Sequence, residues 1–440
     1  MTNSRGAQEK RPVVTVPAGR LHGTVDGDGT VAAFRGIPYA ASPAGALRFA
    51  PPRPHPGRDG ERDAATAGPS VPQSPSRLAY LLGDRVPDGD EDGCLNLNVW
   101  TPVPAPADGA PPRPVLLWFH GGSFTSGSGG WDWYDGACLA ALGDMVVVTA
   151  NYRLGALGWL HLPDDGIANL GFLDQAAALR WVHETIGAFG GDPSRVTVGG
   201  QSAGAYSALA LAVDPATAGM VHQVLAQSGP FGLSPLDPDE AGATARGLLR
   251  LLDSPGTPEH LRSLPVEALL DAATRLTEGT VRPGEVAPSL MPVLGAPGYA
   301  RSPLDAVRDG ALGGRPLLIG TTTDEMTAFG LRGAAAGDRL FGTPSDEIAR
   351  HSAAQGAETF VYRFGRRPDP DPMDLGATHC ADLPFLFGTF DAFAGAPVLG
   401  PVTEADRALS RSFAGAVAAF VDGRAPWPAF DADRQHVRAF

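Results

Sequence analysis

A glycine-flanked serine between a strand-like run and an apolar helix-like run constrains this sequence more than any other feature. Residues 200–204 (GQSAG) follow directly after 195–199 (RVTVG) and precede small apolar residues through Leu211. Such a turn leaves no room for side chains at its glycines. It lifts the serine hydroxyl above a sheet, at a helix N-terminus whose partial positive charge favours a developing anion. An ordinary glycine-rich turn could carry the same letters, but the strand-turn-helix context predicts that Ser202 is a nucleophile.

The rest of the chain predicts an α/β architecture around this turn. Apolar runs of roughly four to eight residues are typical of strands buried on both faces, and helix-like stretches lie between some of them. We therefore predict a central, mostly parallel twisted sheet flanked by helices. At the N-terminus, runs at 13–16 and 30–34 flank a turn-rich DGDG segment and predict an antiparallel meander. The apolar runs are 115–119, 145–149, 196–198, 221–226 and 316–319, and the helix-like stretches are 170–181, 202–211 and 404–421.

The length of 440 residues allows up to about three domains or one large one. Residues 1–11 are polar and mixed in charge, so we predict a disordered leader without the apolar core of a secretory signal. We predict that residues 12–440 form a single catalytic domain. Within it, residues of about 230–315 have helical, loop-rich character and are predicted to form a reduced lid or insertion.

Composition excludes several function classes. The chain has one lysine, Lys10, which removes P-loop, pyridoxal and Schiff-base chemistry because each needs a lysine in a formed pocket. A net charge of −14 with scattered arginines disfavours nucleic acid as a partner. The cysteines Cys94, Cys138 and Cys380 are far apart, which indicates neither a disulfide framework nor a zinc knuckle. With no apolar run of about 18 residues, these features predict a cytoplasmic protein without a membrane or metal partner.

A second glycine-rich segment has the character of an oxyanion hole. Residues 120–124 (HGGSF) follow the strand-like run 115–119. Consecutive small residues let backbone N–H groups approach the carbonyl oxygen that becomes negative during acyl transfer. A flexible loop is the alternative, because further glycines follow, but the two motifs occur in the order that a serine hydrolase requires. A zinc hydrolase is disfavoured, because His183-Glu184 begins like a zincin helix but Gly187 stands where the second ligand belongs.

A nucleophilic serine needs a histidine base and an orienting carboxylate, which follow it in the order serine, acid, histidine in this kind of fold. Among the later histidines, His379 is favoured because it lies in a glycine-initiated loop after the strand-like run 360–364. Asp324 and Glu325 both follow the strand-like run that ends at 319–320, and spacing alone does not choose between them. The aromatic residues Trp131, Trp133 and Tyr134 after the oxyanion segment could line a substrate gorge or pack against the sheet edge.

Six further blocks occur in order along the chain, beginning with 34–40 (FRGIPYA) and ending with 427–428 (WP). Together with the two glycine-rich motifs, they resemble the type-B carboxylesterase and cholinesterase family, especially its bacterial para-nitrobenzyl-esterase-like members. The resemblance implies an α/β-hydrolase fold and a serine carboxylesterase that takes a small-molecule ester and needs no cofactor or metal. It favours Glu325 over Asp324 as the acid of a triad with Ser202 and His379. It assigns the oxyanion donors to Gly122, Ser123 and Ala203, and a supporting role beside the triad to Ser228. The blocks are 34–40 (FRGIPYA), 91–100 (EDGCLNLNVW), 151–155 (NYRLG), 169–175 (NLGFLDQ), 189–193 (FGGDP) and 427–428 (WP).

Departures from the family pattern limit what is carried over. Gln201 stands where many relatives have glutamate, which removes a negative charge beside the nucleophile and disfavours cholinesterase-like selectivity. Ser123 stands where glycine is usual. Ser70 replaces the cysteine that pairs with the counterpart of Cys94 in secreted relatives. An amide or carbamate hydrolase, a biosynthetic acyltransferase and a non-catalytic binding module remain as alternatives, and a monomer or weak homo-oligomer is expected.

Overall fold

The computed structural model describes residues 11–440 except 27–28, 58, 86–87, 104–108, 281–285, 334–336 and 432, so residues 1–10 of the expected leader lie outside the described residues. Most strands coincide with the apolar runs of the sequence. The strands are β1 (Val13–Val16), β2 (Gly19–His22), β3 (Thr24–Asp26), β4 (Val31–Pro38), β5 (Glu61–Asp63), β6 (Asn96–Pro102), β7 (Arg113–Phe119), β8 (Val146–Ala150), β9 (Gly191–Gln201), β10 (Gln223–Gln227), β11 (Leu317–Thr322), β12 (Thr359–Phe364) and β13 (Val437–Ala439).

A ten-stranded sheet has the order β13-β12-β11-β10-β9-β7-β8-β6-β4-β3. The strands from β13 to β8 in this order pair in parallel, whereas β6, β4 and β3 continue the sheet by antiparallel pairing. The predicted mostly parallel sheet is therefore confirmed. A smaller sheet consists of β1, β2 and β5.

The predicted N-terminal meander is divided between the two sheets. β1 pairs antiparallel with β2, and β3 pairs antiparallel with β4. Consequently the runs 13–16 and 30–34 are not partners, and part of the DGDG turn, residues 27–28, lies outside the described residues. The sequence pattern missed β2 and β3 because they are short and partly polar: β2 buries only the alternate residues Gly19 and Leu21, and β3 buries none.

Helices cover both faces of the large sheet and explain why its central strands are apolar throughout. Along β7, Val115, Leu117 and Phe119 enter one buried cluster, whereas Leu116 and Trp118 enter another. This alternation is the two-residue period of a strand between two cores. The helices are α1 (Ala79–Leu82), α2 (Ala137–Gly143), α3 (Gly155–Trp159), α4 (Leu170–Thr185), α5 (Ala203–Val213), α6 (Pro238–Leu251), α7 (Pro258–Ser263), α8 (Val266–Thr280), α9 (Pro303–Arg308), α10 (Thr343–Ala354), α11 (Leu383–Phe387) and α12 (Glu404–Val421).

The segment 230–315 is helical, as its sequence predicts, and within its described part no strand of three or more residues forms. On α6, Ala241, Ala245 and Leu248 are buried at helical spacing, and α8 buries Leu269 and Ala272 in the same way. Of these residues, Ala245, Leu248, Leu269 and Ala272 belong to the same hydrophobic cluster as Val115 of β7. The role of residues 230–315 as a lid remains a prediction.

The carboxyl ends of neighbouring parallel strands place the candidate residues together. β7 ends one residue before His120, and β9 ends one residue before Ser202. β11 ends at Thr322, shortly before a 3₁₀ helix that begins at Glu325. β12 leads into the loop that holds His379. In wound α/β sheets this edge is where ligands bind.

Candidate active site

The turn between β9 and α5 holds Ser202 in a conformation that L-residues seldom adopt. Its backbone has φ 58° and ψ −123°, and its N–H donates to Gln227 O at 2.8 Å. Glycine is required at both flanking positions because other backbone atoms lie too close for a Cβ. A Cβ on Gly200 would lie 2.3 Å from the Gly204 carbonyl carbon, and one on Gly204 would lie 2.0 Å from Phe119 O. The strained turn positions Ser202 at the start of α5, where the helix dipole favours negative charge.

Glu325 and His379 form a buried pair beside this turn. Glu325 Oε2 lies 2.5 Å from His379 Nδ1, and Glu325 Oε1 accepts the Thr322 N–H at 2.9 Å. Both side chains are almost inaccessible to solvent. The carboxylate thus orients the imidazole so that Nε2 is the atom left for proton transfer.

The carboxylate of the neighbouring Asp324 contacts other groups and not the His379 ring. Its Oδ2 accepts the Ala377 N–H at 3.0 Å and the Thr323 hydroxyl at 2.8 Å, and it pairs with Arg367 at 3.3 Å. These contacts stabilise the loop before His379 from its solvent side. The structure therefore distinguishes the two carboxylates that sequence spacing left equivalent.

The environment of His379 favours the imidazolium. Burial lowers the pKa of His379, but the adjacent Cys380 sulfur and the Glu325 carboxylate raise it by more, so the pKa lies well above its ordinary value. A buried charge beside a carboxylate is favoured when the pair is hydrogen-bonded. The pair is therefore suited to stabilise an imidazolium that forms when the base accepts a proton.

Gln201 contacts the other side of the same ring. Its Nε2 lies 3.1 Å from His379 Nε2 and donates to Cys380 Sγ at 3.2 Å. Within the described residues, no hydrogen bond joins Ser202 to His379. The structure thus brings Gln201, Ser202, Glu325 and His379 together, and it adds Cys380, for which no role was predicted.

The segment after β7 has the backbone geometry of an anion-binding loop. Gly122 and Ser123 have φ of 112° and 54°. The Gly122 carbonyl accepts the N–H groups of Thr125 and Ser126, each at 3.0 Å, which closes a tight turn. Across the described chain, the N–H groups of Gly122, Ser123 and Ala203 donate to no backbone carbonyl. All three donors are therefore available to a ligand oxygen.

Side chains outside the motif fix this loop. Burial lowers the pKa of His120 to about 4, so the ring is neutral, and it stacks on Tyr152 with 4.6 Å between ring centroids. Gln73 pairs with the backbone of Gly127: its Nε2 donates to the carbonyl at 2.9 Å and its Oε1 accepts the N–H at 2.6 Å. No sequence motif predicted Gln73, because it acts across 54 residues.

The site opens into a pocket with about 570 Å³ of space, part of it open to solvent. Trp131, Trp133 and Tyr134 line it, as the sequence suggested, and they also pack: Trp133 stacks on Phe393 at 5.3 Å between centroids. The aromatic segment therefore both lines the pocket and packs against neighbouring side chains. None of the pocket's lining residues comes from the described part of 230–315.

Two further buried residues lie near this site, and the sequence predicted a role for the first of them, Ser228. The Ser228 hydroxyl is fully buried yet has no hydrogen-bond partner among the described side chains and backbone, so its supporting contact is not present in this structure. Asp382, which the sequence did not single out, is fully buried and interacts electrostatically with Glu325 and His379. It accepts from the Tyr362 hydroxyl at 3.0 Å, and burial together with Glu325 raises the pKa of Asp382 to about 6.

Residues 10–336 and 333–437 match the sequence model of the carboxylesterase family. The chain belongs to the carboxylesterase family. It is 38% identical over 419 residues to a probable N-octanoylanthranilate hydrolase of Rhodococcus erythropolis, covering 89% of this chain and 88% of that protein. It is 34% identical over 464 residues to the para-nitrobenzyl esterase of Bacillus subtilis, covering 95% and 92%. A phenmedipham hydrolase of Pseudarthrobacter oxydans is 35% identical over 431 residues, covering 88% and 85%.

Solved structures of carboxylesterases share this fold. A thermophilic para-nitrobenzyl esterase superposes with a TM-score of 0.86 at 32% identity, covering 98% of this chain and 96% of that chain. A carboxylesterase of Geobacillus stearothermophilus gives a TM-score of 0.83 at 35% identity, with the same coverage. The α/β-hydrolase fold and the predicted family are therefore confirmed, and this carboxylesterase is a hydrolase of carboxylic esters.

No group of three or more His, Cys, Asp or Glu residues is placed to hold a metal ion in the part of the chain that is described. In that same part, no helix combines the length and the apolar character needed to cross a membrane.

Proposed function

We propose that this carboxylesterase hydrolyses small-molecule esters through an acyl-enzyme on Ser202. His379 Nε2 takes the hydroxyl proton as Ser202 Oγ attacks the ester carbonyl. Glu325 holds the ring through Nδ1 and stabilises the imidazolium. The single observation that supports this assignment most is the 2.5 Å contact between Glu325 and His379. His379 in turn lines one pocket together with Gln201 and Ser202.

The tetrahedral oxyanion is held by the N–H groups of Gly122, Ser123 and Ala203. Each such donor contributes about 3 kcal/mol in enzymes of this kind. The intermediate collapses when His379 returns its proton to the leaving alkoxide, which departs as the alcohol. Water then attacks the acyl-enzyme, with His379 again as base, and releases the acid and free Ser202.

Hydrolysis is favoured over acyl transfer to a biosynthetic acceptor and over a non-catalytic binding role. The relatives are named as esterases and hydrolases, which favours water as the acyl acceptor over a biosynthetic acceptor. The retained serine, acid and histidine favour catalysis over a binding role. Gly122, Ser123 and Ala203 add donors that a binding module would not need.

The test compares Ser202→Ala with Ser352→Ala on para-nitrophenyl butyrate. Ser352 is a suitable control because it is equally a buried serine, its hydroxyl is unpartnered among the described residues, and it lies on α10 outside the pocket. We expect Ser202→Ala to lose at least about 10³-fold in kcat. Ser352→Ala should stay near the parent rate, and both should keep the parent circular-dichroism spectrum. Near-normal turnover by Ser202→Ala contradicts the proposal.

The proposal includes the protein's setting. We propose that residues 12–440 act as one catalytic domain in the cytoplasm, as a monomer or weak homo-oligomer. The free state of Cys94, Cys138 and Cys380 supports a reducing compartment, and Ser70 donates to Asp88 Oδ1 at 2.8 Å rather than joining a disulfide. Cell fractionation with an esterase assay tests the location, and size-exclusion chromatography with light scattering tests the assembly. Activity confined to a secreted fraction contradicts the cytoplasmic placement.

A further inference from the structure

A second groove lies between α2, the segment that begins with α11, and α12. We call it the α12 groove, after the helix whose Arg407, Ser410, Arg411 and Ala414 form one of its walls. It encloses about 600 Å³ of space, part of it open to solvent, which is close to the size of the catalytic pocket. Among the described residues the two cavities share no lining residue, since α11 contributes Leu383 to the catalytic pocket and Leu386 to the groove. The groove is therefore a separate place for a ligand.

Apolar side chains line most of the α12 groove. Leu139, Leu386 and Phe390 are almost completely buried, and Ala414 extends the same surface on α12. Leu142 lies at the edge, where 48% of its surface is exposed. Contact with an apolar ligand removes such surface from water, which favours binding. The lining therefore suits an alkyl chain.

Two arginines add positive charge to this apolar surface. Arg407 and Arg411 are four residues apart on α12, so they are neighbours on one face of the helix. The Arg407 guanidinium lies over the Phe390 ring, 5.6 Å from its centroid, and among the described residues it pairs with no acidic side chain. Arg411 pairs with Glu404 at 3.0 Å, but the two side chains are 62% and 77% exposed. Solvent screens such a pair, so a ligand anion competes with Glu404 at little cost.

No aspartate or glutamate belongs to the described lining of the groove. Three acidic side chains near its walls are already engaged by arginines: Asp135 pairs with Arg35 at 3.0 Å, Glu404 with Arg411 at 3.0 Å and Asp406 with Arg366 at 2.8 Å. The groove therefore favours a negatively charged ligand, although the whole chain carries −14.

We propose that the α12 groove binds a medium-chain carboxylate, with the alkyl chain on the apolar lining and the carboxylate at Arg407 and Arg411. A guanidinium matches a carboxylate with two parallel N–H donors, which fixes orientation as well as charge. From Arg407 to Ala414 the wall is about 10 Å long at the rise of an α-helix, which suits a chain of medium length. This binding site is independent of the function proposed for Ser202.

Cys138 provides a local reporter for the test. It lines the groove and is exposed, whereas Cys94 and Cys380 are buried. A ligand in the groove should slow the alkylation of Cys138 by iodoacetamide, which peptide mass spectrometry measures. The probe is octanoate, and its Kd follows from the concentration dependence of the alkylation rate. Three further probes separate its properties: 1-octanol lacks the charge, acetate lacks the chain, and octylammonium carries the opposite charge.

We expect octanoate to protect Cys138 and to bind about fivefold more tightly than 1-octanol, the upper end for an exposed ion pair. The double variant Arg407→Ala with Arg411→Ala should raise the Kd for octanoate about fivefold and leave that for 1-octanol unchanged. Acetate and octylammonium should not protect. Arg275→Ala is the matched control, because Arg275 is also an exposed arginine on a helix, 3.8 Å from the carboxylate of Asp271, and lies outside the groove. Its Kd for octanoate should equal the parent value.

Equal Kd values for octanoate and 1-octanol, or an unchanged Kd for octanoate in the double variant, overturn the proposal, as does an equal change in Arg275→Ala. Octanoate that binds only in the catalytic pocket would leave the alkylation of Cys138 unchanged, which also contradicts it. Alkylation that slows with rising protein concentration, and not with octanoate, means that a second copy of the chain covers the groove and likewise overturns the proposal. None of these outcomes depends on whether Ser202 is the nucleophile.

Discussion

The side-chain amide of Gln201 lies 3.1 Å from His379 Nε2, the atom that must accept the proton of Ser202. With Nδ1 hydrogen-bonded to Glu325, a neutral imidazole has a lone pair at Nε2, and the Gln201 amide donates to it. The neutral form of the base, which forms as pH rises through its raised pKa, therefore has an uncharged hydrogen-bond partner at Nε2. Gln201 thus acts on the base through both hydrogen bonding and its lack of charge.

Replacing this neutral neighbour with a carboxylate should change the pH dependence. In Gln201→Glu, a second negative charge beside the imidazole stabilises its protonated form, so the pKa of His379 rises further. Because the base must be neutral, the limb of kcat/KM that rises with pH should move to higher pH. Activity at neutral pH should then fall by about tenfold for each pH unit of movement.

The matched control for that variant is Gln355→Glu, which adds the same charge at the C-terminal end of α10 outside the pocket. Its pH profile should match the parent profile. Movement of the Gln201→Glu limb to lower pH, or no movement, contradicts the role assigned to Gln201.

The parent enzyme should show the raised pKa of His379 directly. At low pH the imidazole is protonated and unable to accept the Ser202 proton, and activity appears as pH rises through its pKa. Because that pKa is raised, the limb in kcat/KM should lie above about 6.5, the ordinary value for histidine. A limb at or below about pH 6 in the free enzyme would mean that burial lowers the pKa of His379 by more than Glu325 raises it.

Exchanging the acid for its amide should remove most activity. In Glu325→Gln the side chain keeps its size but no longer stabilises the imidazolium, and comparable changes in serine hydrolases cost about 10⁴-fold in kcat. The pKa of His379 should fall because burial is then less opposed. Measured kcat and the pH limb together separate this effect from misfolding.

Asp324→Asn is the control for the acid, because Asp324 contacts the loop before His379 but not the imidazole. We expect it to stay within about tenfold of the parent kcat, since its loss affects loop stability and not proton transfer. A larger loss for Asp324→Asn than for Glu325→Gln reverses the assignment of the acid.

A buried ion pair behind the site should dominate local stability. Arg153 and Asp174 are 3% and 0% exposed at their side chains and share two contacts of 2.7 Å. Arg153→Met leaves the Asp174 carboxylate buried without its cation, which should lower the free energy of unfolding by about 3 to 5 kcal/mol. Urea denaturation measures this loss.

The exposed pair of Arg424 and Asp422 provides the comparison. Arg424→Met should cost less than about 1 kcal/mol, because solvent screens the pair. Equal costs for the two variants contradict the stability assigned to the buried pair.

The sequence predicted those parts of the site that place strict demands on the local backbone. The turn around Ser202 and the loop at Gly122 and Ser123 need small residues at fixed positions, so they leave a recognisable pattern. The acid could not be chosen from spacing, because Asp324 and Glu325 are adjacent and the direction of each side chain is set where the 3₁₀ helix begins. The family resemblance favours Glu325, and in the structure Glu325 contacts His379 whereas Asp324 contacts the backbone of Ala377.

Contacts between distant segments left no local signal. Cys380 contacts Gln201 across 179 residues, and Gln73 fixes Gly127 across 54. Asp382 likewise gains its surroundings only when separate segments meet at the sheet edge. In the fold, the long apolar strands were predicted, whereas the short, partly polar β2 and β3 were not, because half-exposed strands bury too few residues to produce a clear pattern.

The central claim is that Ser202 is the residue that carries the acyl group, and labelling tests it most directly. The parent protein is treated with a fluorophosphonate probe, digested and mapped by peptide mass spectrometry. We predict one adduct, on Ser202, and its absence in Ser202→Ala. An adduct on another serine such as Ser123, or no labelling of a folded protein that still hydrolyses para-nitrophenyl butyrate, would contradict the account.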